Sequence, residues 1–255
     1  MPIPFVDLNA QYHSIKEEID AAIAAVIEES AFIRGRFVER FEEEFAAAAR
    51  AAHCVSVANG TDALYIVLRM LGIGPGDEVI TSACSWISSS ETITQAGAEP
   101  VFADIEPDYF TLDPSDVERR ITPRTKAVIA VHLLGQPADM PALRDICDRR
   151  GLLLVEDCAQ AHLAEIAGRA VGTWGNAGTF SFYPGKNLGA YGDAGAIVTE
   201  DRELAANCRC FARHGADAGD KHNHVMEGIN SRLDGLQAAI LSVKLQHLED
   251  WTKAR

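Results

Sequence analysis

The sequence predicts an α/β fold, a mainly parallel sheet with helices on both faces, and three observations predict it. From His53 onward, short apolar runs alternate with helical stretches. Right-handed crossovers turn such strand–helix units into a parallel sheet. Leu152-Leu153-Leu154-Val155 is a continuous apolar run, as a strand covered on both faces requires. Hydrophobic residues make up 47% of the 255 positions, enough for the core of one large domain and too many for general disorder.

Each element has a local reason. Ser14-Ile15-Lys16-Glu17 has the form of a capping box, so a helix is expected to start there, with Ile15, Ile19, Ile23, Val26 and Ile27 on one face. A second amphipathic helix runs through Phe37, Phe41 and Phe45 into an alanine run, and Glu42-Glu43-Glu44 reads as its solvated face. Cys54–Val57 is a short strand, and a helix follows Asn59-Gly60-Thr61-Asp62 as far as Leu71. Gly72 to Gly76 turns the chain into the strand at Val79-Ile80. Ser89–Ala96 is helical and stops at Gly97, and Pro100–Asp104 is the next strand. Ser115–Ile121 is helical and Lys126–His132 is strand. Pro141 opens a helix that Gly151 closes, before the apolar strand at Leu152–Val155. Leu233 to Trp251 reads as one long amphipathic helix with no terminating glycine. The chain thus divides into an N-terminal helical segment (1–30), a large α/β domain (31–235) and the start of a linker helix (236–255).

Charge and cysteine content exclude several function classes. With 23 Lys plus Arg against 37 Asp plus Glu, the net charge is −14, which repels nucleic acid and anionic membrane as main partners. No apolar run approaches the roughly 20 residues of a membrane span, and the N-terminus lacks the pattern of a signal peptide, so a cytoplasmic protein is expected. Cys54, Cys84, Cys147, Cys158, Cys208 and Cys210 are too sparse for a disulfide scaffold and are expected to be reduced and mostly buried.

Three motif-like stretches fail on inspection. Gly72-Ile73-Gly74-Pro75-Gly76-Asp77 ends in Asp77 and precedes a strand, so it is a tight turn and not a dinucleotide fingerprint. Gly185-Lys186 is not a P-loop, because Phe180 and Asn187 stand where glycine and Ser or Thr are needed. His214, His222 and His224, with Cys208 and Cys210 nearby, match no structural zinc spacing and read as polar loop residues, so no metal is expected.

The stretch that carries chemistry is Glu156-Asp157-Cys158-Ala159-Gln160-Ala161-His162, followed by Ser181-Phe182-Tyr183-Pro184-Gly185-Lys186-Asn187-Leu188-Gly189. An acid closes an apolar parallel strand, at the edge where open α/β sheets collect ligands. A carboxylate, a lysine and hydroxyls converging there suit pyridoxal 5′-phosphate, which needs a lysine to attach to, an acid against its ring nitrogen and a phosphate cup. Taken singly, Lys186 would be a surface lysine, Asp157 a helix cap, Gln160 a buried amide and Trp86 packing.

These stretches resemble the DegT/StrS family of nucleotide-sugar aminotransferases, whose fold is the large domain of fold-type I pyridoxal-phosphate enzymes. The resemblance begins at Pro4-Phe5-Val6-Asp7-Leu8 and runs through Asn59-Gly60-Thr61-Asp62-Ala63-Leu64, Gly74-Pro75-Gly76-Asp77-Glu78-Val79-Ile80 and the two stretches above to Asn230-Ser231-Arg232-Leu233-Asp234. It implies that Lys186 is the Schiff-base lysine and proton shuttle, and that Asp157 pairs with the pyridine nitrogen. It implies further that Gln160 binds the phenolic oxygen, that Gly60, Thr61 and Ser181 cup the phosphate, and that Trp86 stacks on the ring. Asn230 would reach the phosphate of a second copy across a homodimer. The implied reaction moves an amino group from an amino acid, glutamate, to a keto-sugar nucleotide. Lysine at 186 speaks against the dehydratase branch, where histidine replaces it.

Two departures stand out. Leu163 follows His162 where the family usually has glycine, so it is expected to crowd a tight turn. Family members continue into a smaller C-terminal domain, and this chain stops in the helix that leads to it. A catalytically idle truncated member, serving as a cofactor-binding, dimerising or regulatory module, is the alternative reading.

Overall fold

The structure is a computed structural model that describes residues 6–220 and 222–255. The first residues of the resemblance, Pro4 and Phe5, lie outside them. Ten helices and nine strands alternate along the described residues. α1 (Leu8–Ser14), α2 (Lys16–Glu28) and α3 (Arg36–Ala48) precede β1 (His53–Val57) and α4 (Gly60–Met70). Then come β2 (Glu78–Ser82), α5 (Ser88–Gln95), β3 (Glu99–Ala103), α6 (Pro114–Arg120), β4 (Thr125–Val131), α7 (Met140–Arg150) and β5 (Leu153–Asp157). The last part holds a small hairpin, β6 (Glu165–Ile166) with β7 (Arg169–Ala170), then β8 (Ala177–Ser181), β9 (Gly195–Thr199), α8 (Arg202–Phe211), α9 (Gly235–Leu245) and α10 (Leu248–Ala254).

The main sheet has seven strands in the order β1-β9-β8-β5-β4-β2-β3. It is mainly parallel, and β9 alone runs against both of its neighbours. Helices cover both faces, and the period-2 alternation of strand side chains decides what each face buries. In β4, Ala127, Ile129 and Val131 pack with Leu64, Ile66 and Val67 of α4. Val128 and Ala130 turn the other way, with Val117 of α6 and Leu143 and Ile146 of α7. A third cluster seats Phe41 and Phe45 of α3 edge-on against Phe180 and Phe182, with ring centroids 4.9–5.4 Å apart in the T-shaped pairs. Pro141 near the start of α7 and Gly151 in the left-handed conformation (φ 66°) at its end are as the sequence predicts.

Three local expectations are corrected. The capping box at Ser14 does not form: α2 starts at Lys16 with Ile15 at its N-cap and no side-chain cap. Ser14 ends a separate helix, α1, which Asp7 caps by accepting from the Ala10 N–H, and the Ser14 hydroxyl donates back to the Gln11 carbonyl. Glu42 is not solvated. It is 8% exposed and accepts from the Ser56 N–H (2.9 Å), the Ser56 hydroxyl (2.7 Å) and Arg209 (2.6 Å), tying α3 to β1 and α8. The long helix from Leu233 is two helices, because the N–H groups of Gln246 and His247 bond three residues back and tighten the turn until it closes. All six cysteines are free; four are buried, Cys84 is exposed and Cys210 is half-buried. Among the described residues no helix is long and apolar enough to cross a membrane.

Candidate active site

Strands β4 and β5 end side by side, joined by the His132 N–H to the Asp157 carbonyl at 3.1 Å. A cavity of about 470 Å³ opens over this carboxyl edge. Seven of the eight residues singled out in the sequence line it: Gly60, Thr61, Trp86, Asp157, Gln160, Ser181 and Lys186. They come from four chain segments, so the fold alone assembles them.

Asp157 is the last residue of β5 and is 7% exposed. Its Oδ1 accepts from the Ala159 N–H at 3.1 Å and its Oδ2 from the Ser89 hydroxyl at 3.0 Å. Burial raises its pKa, opposed by these two hydrogen bonds and by the charge of Lys186. No helix follows, so the helix-cap alternative for Asp157 falls away, and Gln160 sits in a turn. The Gln160 carbonyl oxygen accepts from the Leu134 N–H at 2.8 Å, which leaves its amide donors for another partner.

Lys186 sits in the loop between β8 and β9, held by its own N–H to the Tyr183 carbonyl at 2.8 Å. Burial lowers the pKa of its amine below the ordinary lysine range, and the Asp157 charge opposes that shift. On the opposite wall, Asn59 caps α4 by accepting from the Asp62 N–H at 2.7 Å. The N–H groups of Gly60 and Thr61 lie in the first helical turn, where no intrahelical acceptor exists. Gly60 is glycine for a steric reason, since a Cβ there would lie 2.7 Å from the Ser181 Cβ. Its absence brings the positive end of the helix against the Ser181 hydroxyl. Trp86 is 72% exposed at the cavity mouth.

Asn230 does not line this cavity within one chain. It is exposed and pairs through an isolated bridge with Arg213. Leu163 takes the left-handed conformation (φ 63°) with its side chain 39% exposed, so the turn keeps a glycine-like backbone despite the residue.

Sequence reasoning missed His132 and Asp193, which also line the cavity, and Ser89, which braces Asp157. His132 follows an apolar strand directly, the same signal that exposed the acid after β5, and could have been found by it. It belongs to a buried cluster with Glu156 and Cys158, the residue types that hold metals. Here the polar groups bond one another. The Ala138 N–H donates to His132 Nδ1 (3.0 Å), so the proton sits on Nε2, which donates to Glu156 (3.1 Å). Glu156 also accepts from the N–H groups of Gly172 and Gly175, both at 2.8 Å.

Residues 13–255 match the DegT/DnrJ/EryC1/StrS aminotransferase family. A pleiotropic regulatory protein of Geobacillus stearothermophilus is 49% identical over 100% of the chain and 68% of its own length. A dTDP-3-amino-3,4,6-trideoxy-alpha-D-glucose transaminase of Streptomyces venezuelae is 49% identical over 99% of the chain and 66% of its own length. The crystal structure of S. venezuelae DesV in complex with a ketimine intermediate superposes with a TM-score of 0.95 at 49% identity, covering 97% of this chain and 66% of that one. The chain therefore spans about two thirds of the length of these relatives, and with the fold and the match agreeing, it belongs to the DegT/DnrJ/EryC1/StrS aminotransferase family.

Proposed function

We propose that the chain holds pyridoxal 5′-phosphate in this cavity and acts as an aminotransferase, moving an amino group from glutamate to a keto-sugar carried on a nucleoside diphosphate. The observation that carries the reading is the convergence on one cavity of the Lys186 amine, the buried Asp157 carboxylate and the N-terminus of α4. The donor set fits the cofactor. The cradle left by the missing Cβ of Gly60, with two free N–H groups and the Ser181 hydroxyl, suits a phosphate. When bound, the cofactor supplies an electron-accepting ring for the charge released as the amino donor loses its α-proton.

The chain's own residues do the rest. Lys186 is the residue that would hold the cofactor through its amine, and its free amine would carry a proton to and from the reacting carbon. Its lowered pKa enlarges the neutral, proton-accepting share of the amine. Asp157, its carboxylate fixed by the Ser89 hydroxyl and the Ala159 N–H, is the residue that would pair with the ring nitrogen and keep it protonated. Gln160 offers its amide donors to the phenolic oxygen, and Trp86 supplies an aromatic face that keeps water off the ring.

In this reading residues 31–235 are the cofactor domain, flanked by helical segments at 1–30 and 236–255. The protein works in the cytoplasm as a homodimer with shared sites, Asn230 serving the partner's phosphate. Exposed Trp86, Ile87, Leu134 and Tyr183 around the mouth support burial against a second copy. The named transaminase relatives favour the aminotransferase over an idle or regulatory module. Absorbance tests the reading: pyridoxal 5′-phosphate added to the protein gives a visible band that glutamate shifts. A band that ignores glutamate sinks the aminotransferase, and a band retained in Lys186→Ala removes Lys186 from its role.

A further inference from the structure

Lys244, on α9, is a fully buried ionisable group to which the proposed chemistry gives no task. A buried ammonium is costly unless it is paired, and among the described residues Lys244 has no carboxylate partner. Its amine instead donates to the Gly189 carbonyl at 2.6 Å and lies 4.3 Å from the centre of the Tyr191 ring. Burial lowers its pKa to about 8.

Both targets belong to the segment that carries Lys186. Gly189 packs so closely on the Pro184 carbonyl that a Cβ would overlap it, so a grip on Gly189 is a grip on the start of the loop. The Ala190 N–H closes the loop base on the Phe182 carbonyl at 2.8 Å. From the same helix, Gln237 accepts from the Tyr191 N–H at 2.8 Å.

We infer that Lys244 is a positioning residue: from behind, through Gly189 and Tyr191, it clamps the loop that presents Lys186 to the cavity. The clamp stands on this geometry, and its consequence for chemistry rests on the role proposed for Lys186. Replacing a buried, unpaired charge by an apolar side chain removes a desolvation cost, so Lys244→Met is expected to keep its melting temperature within a few degrees. A merely structural lysine would leave the loop unchanged in such a variant.

The test is amide hydrogen exchange in the cofactor-free protein, with reductive trapping of pyridoxal 5′-phosphate located by peptide mass. Lys244→Met is expected to exchange about tenfold faster at the Lys186 and Ala190 amides. Trapping at Lys186 is expected to slow by about tenfold, because the amine is no longer held in place. Unchanged exchange overturns the inference, and so does faster exchange with unchanged trapping. Lys244→Leu serves as a second apolar replacement, and if neither variant folds, Lys244 belongs to global stability and the inference fails. If the wild type itself is not trapped at Lys186, the proposed function fails while exchange alone still decides the clamp.

Discussion

Glu156 and Asp157 are consecutive, acidic and buried, yet they serve opposite sides of the sheet. Leu153, Val155 and Asp157 face α4 and α5, while Leu154 and Glu156 face the other way. Glu156 is enclosed by three N–H donors from His132, Gly172 and Gly175, which braces the turn that leads into β8. Asp157 receives two donors and still opens onto the cavity. Acceptor capacity left over at a cavity wall separates a carboxylate open to a ligand from one spent on holding the fold.

The strongest way to break this comparison is to remove the amine that faces Asp157. Lys186→Ala is expected to abolish cofactor trapping and lower transamination on the order of 10³-fold or more, with the fold unchanged by circular dichroism. Asp157→Asn is expected to cost about 10²-fold in turnover while leaving trapping at Lys186 intact. Equal effects of Asn at 157 and Gln at 156 on turnover would erase the distinction between the two faces.

Stability separates them in the opposite sense. Glu156→Gln turns an amide donor toward N–H groups and is expected to cost about 1–3 kcal/mol, seen as a fall of several degrees in melting temperature. The folded-state pKa of Asp157 is raised by burial, so the stability it contributes is full below its unfolded value and is lost as pH rises through the folded value. Asp157→Asn is therefore expected to be more stable than wild type at neutral pH, with the gap closing below about pH 4. His162 has the opposite sign. Burial lowers its pKa to about 3, so its contribution is present above the unfolded value near 6.5 and lost as pH falls from there. Acid melts of His162→Phe against wild type isolate that slope. The smallest effect is expected at Leu163, where glycine relieves a left-handed backbone at some entropic cost, for a net gain below about 1 kcal/mol.

Much of this was legible in the sequence. The strand alternation revealed the sheet, and the acid after an apolar run marked the edge over which the cavity opens. Proline and glycine punctuated α7 correctly because their reasons are local. The misreadings share a different cause. Glu42 looked solvated among three glutamates, because Arg209 and Ser56 reach it only once α8 and β1 are packed. The break after Leu245 is a hydrogen-bond shift that periodicity does not register. Lys244 was hidden inside an ordinary helical pattern, and only tertiary packing exposes it as a buried lysine with no acid beside it among the described residues.

The reversed strand β9 has a further consequence. Parallel neighbours must be joined by a chain that returns across the whole sheet, usually as a helix. Because β8 and β9 are antiparallel, residues 182–194 have no such return journey to make and stay at one rim. They begin and end on a paired ladder, so their length and shape are relieved of architectural duty. A single change of strand direction thereby opens a vacancy in the scaffold, a short stretch of chain free to specialise directly above the ends of the parallel strands. Lys186 occupies it, and a sheet with seven parallel strands would have had a crossover there instead.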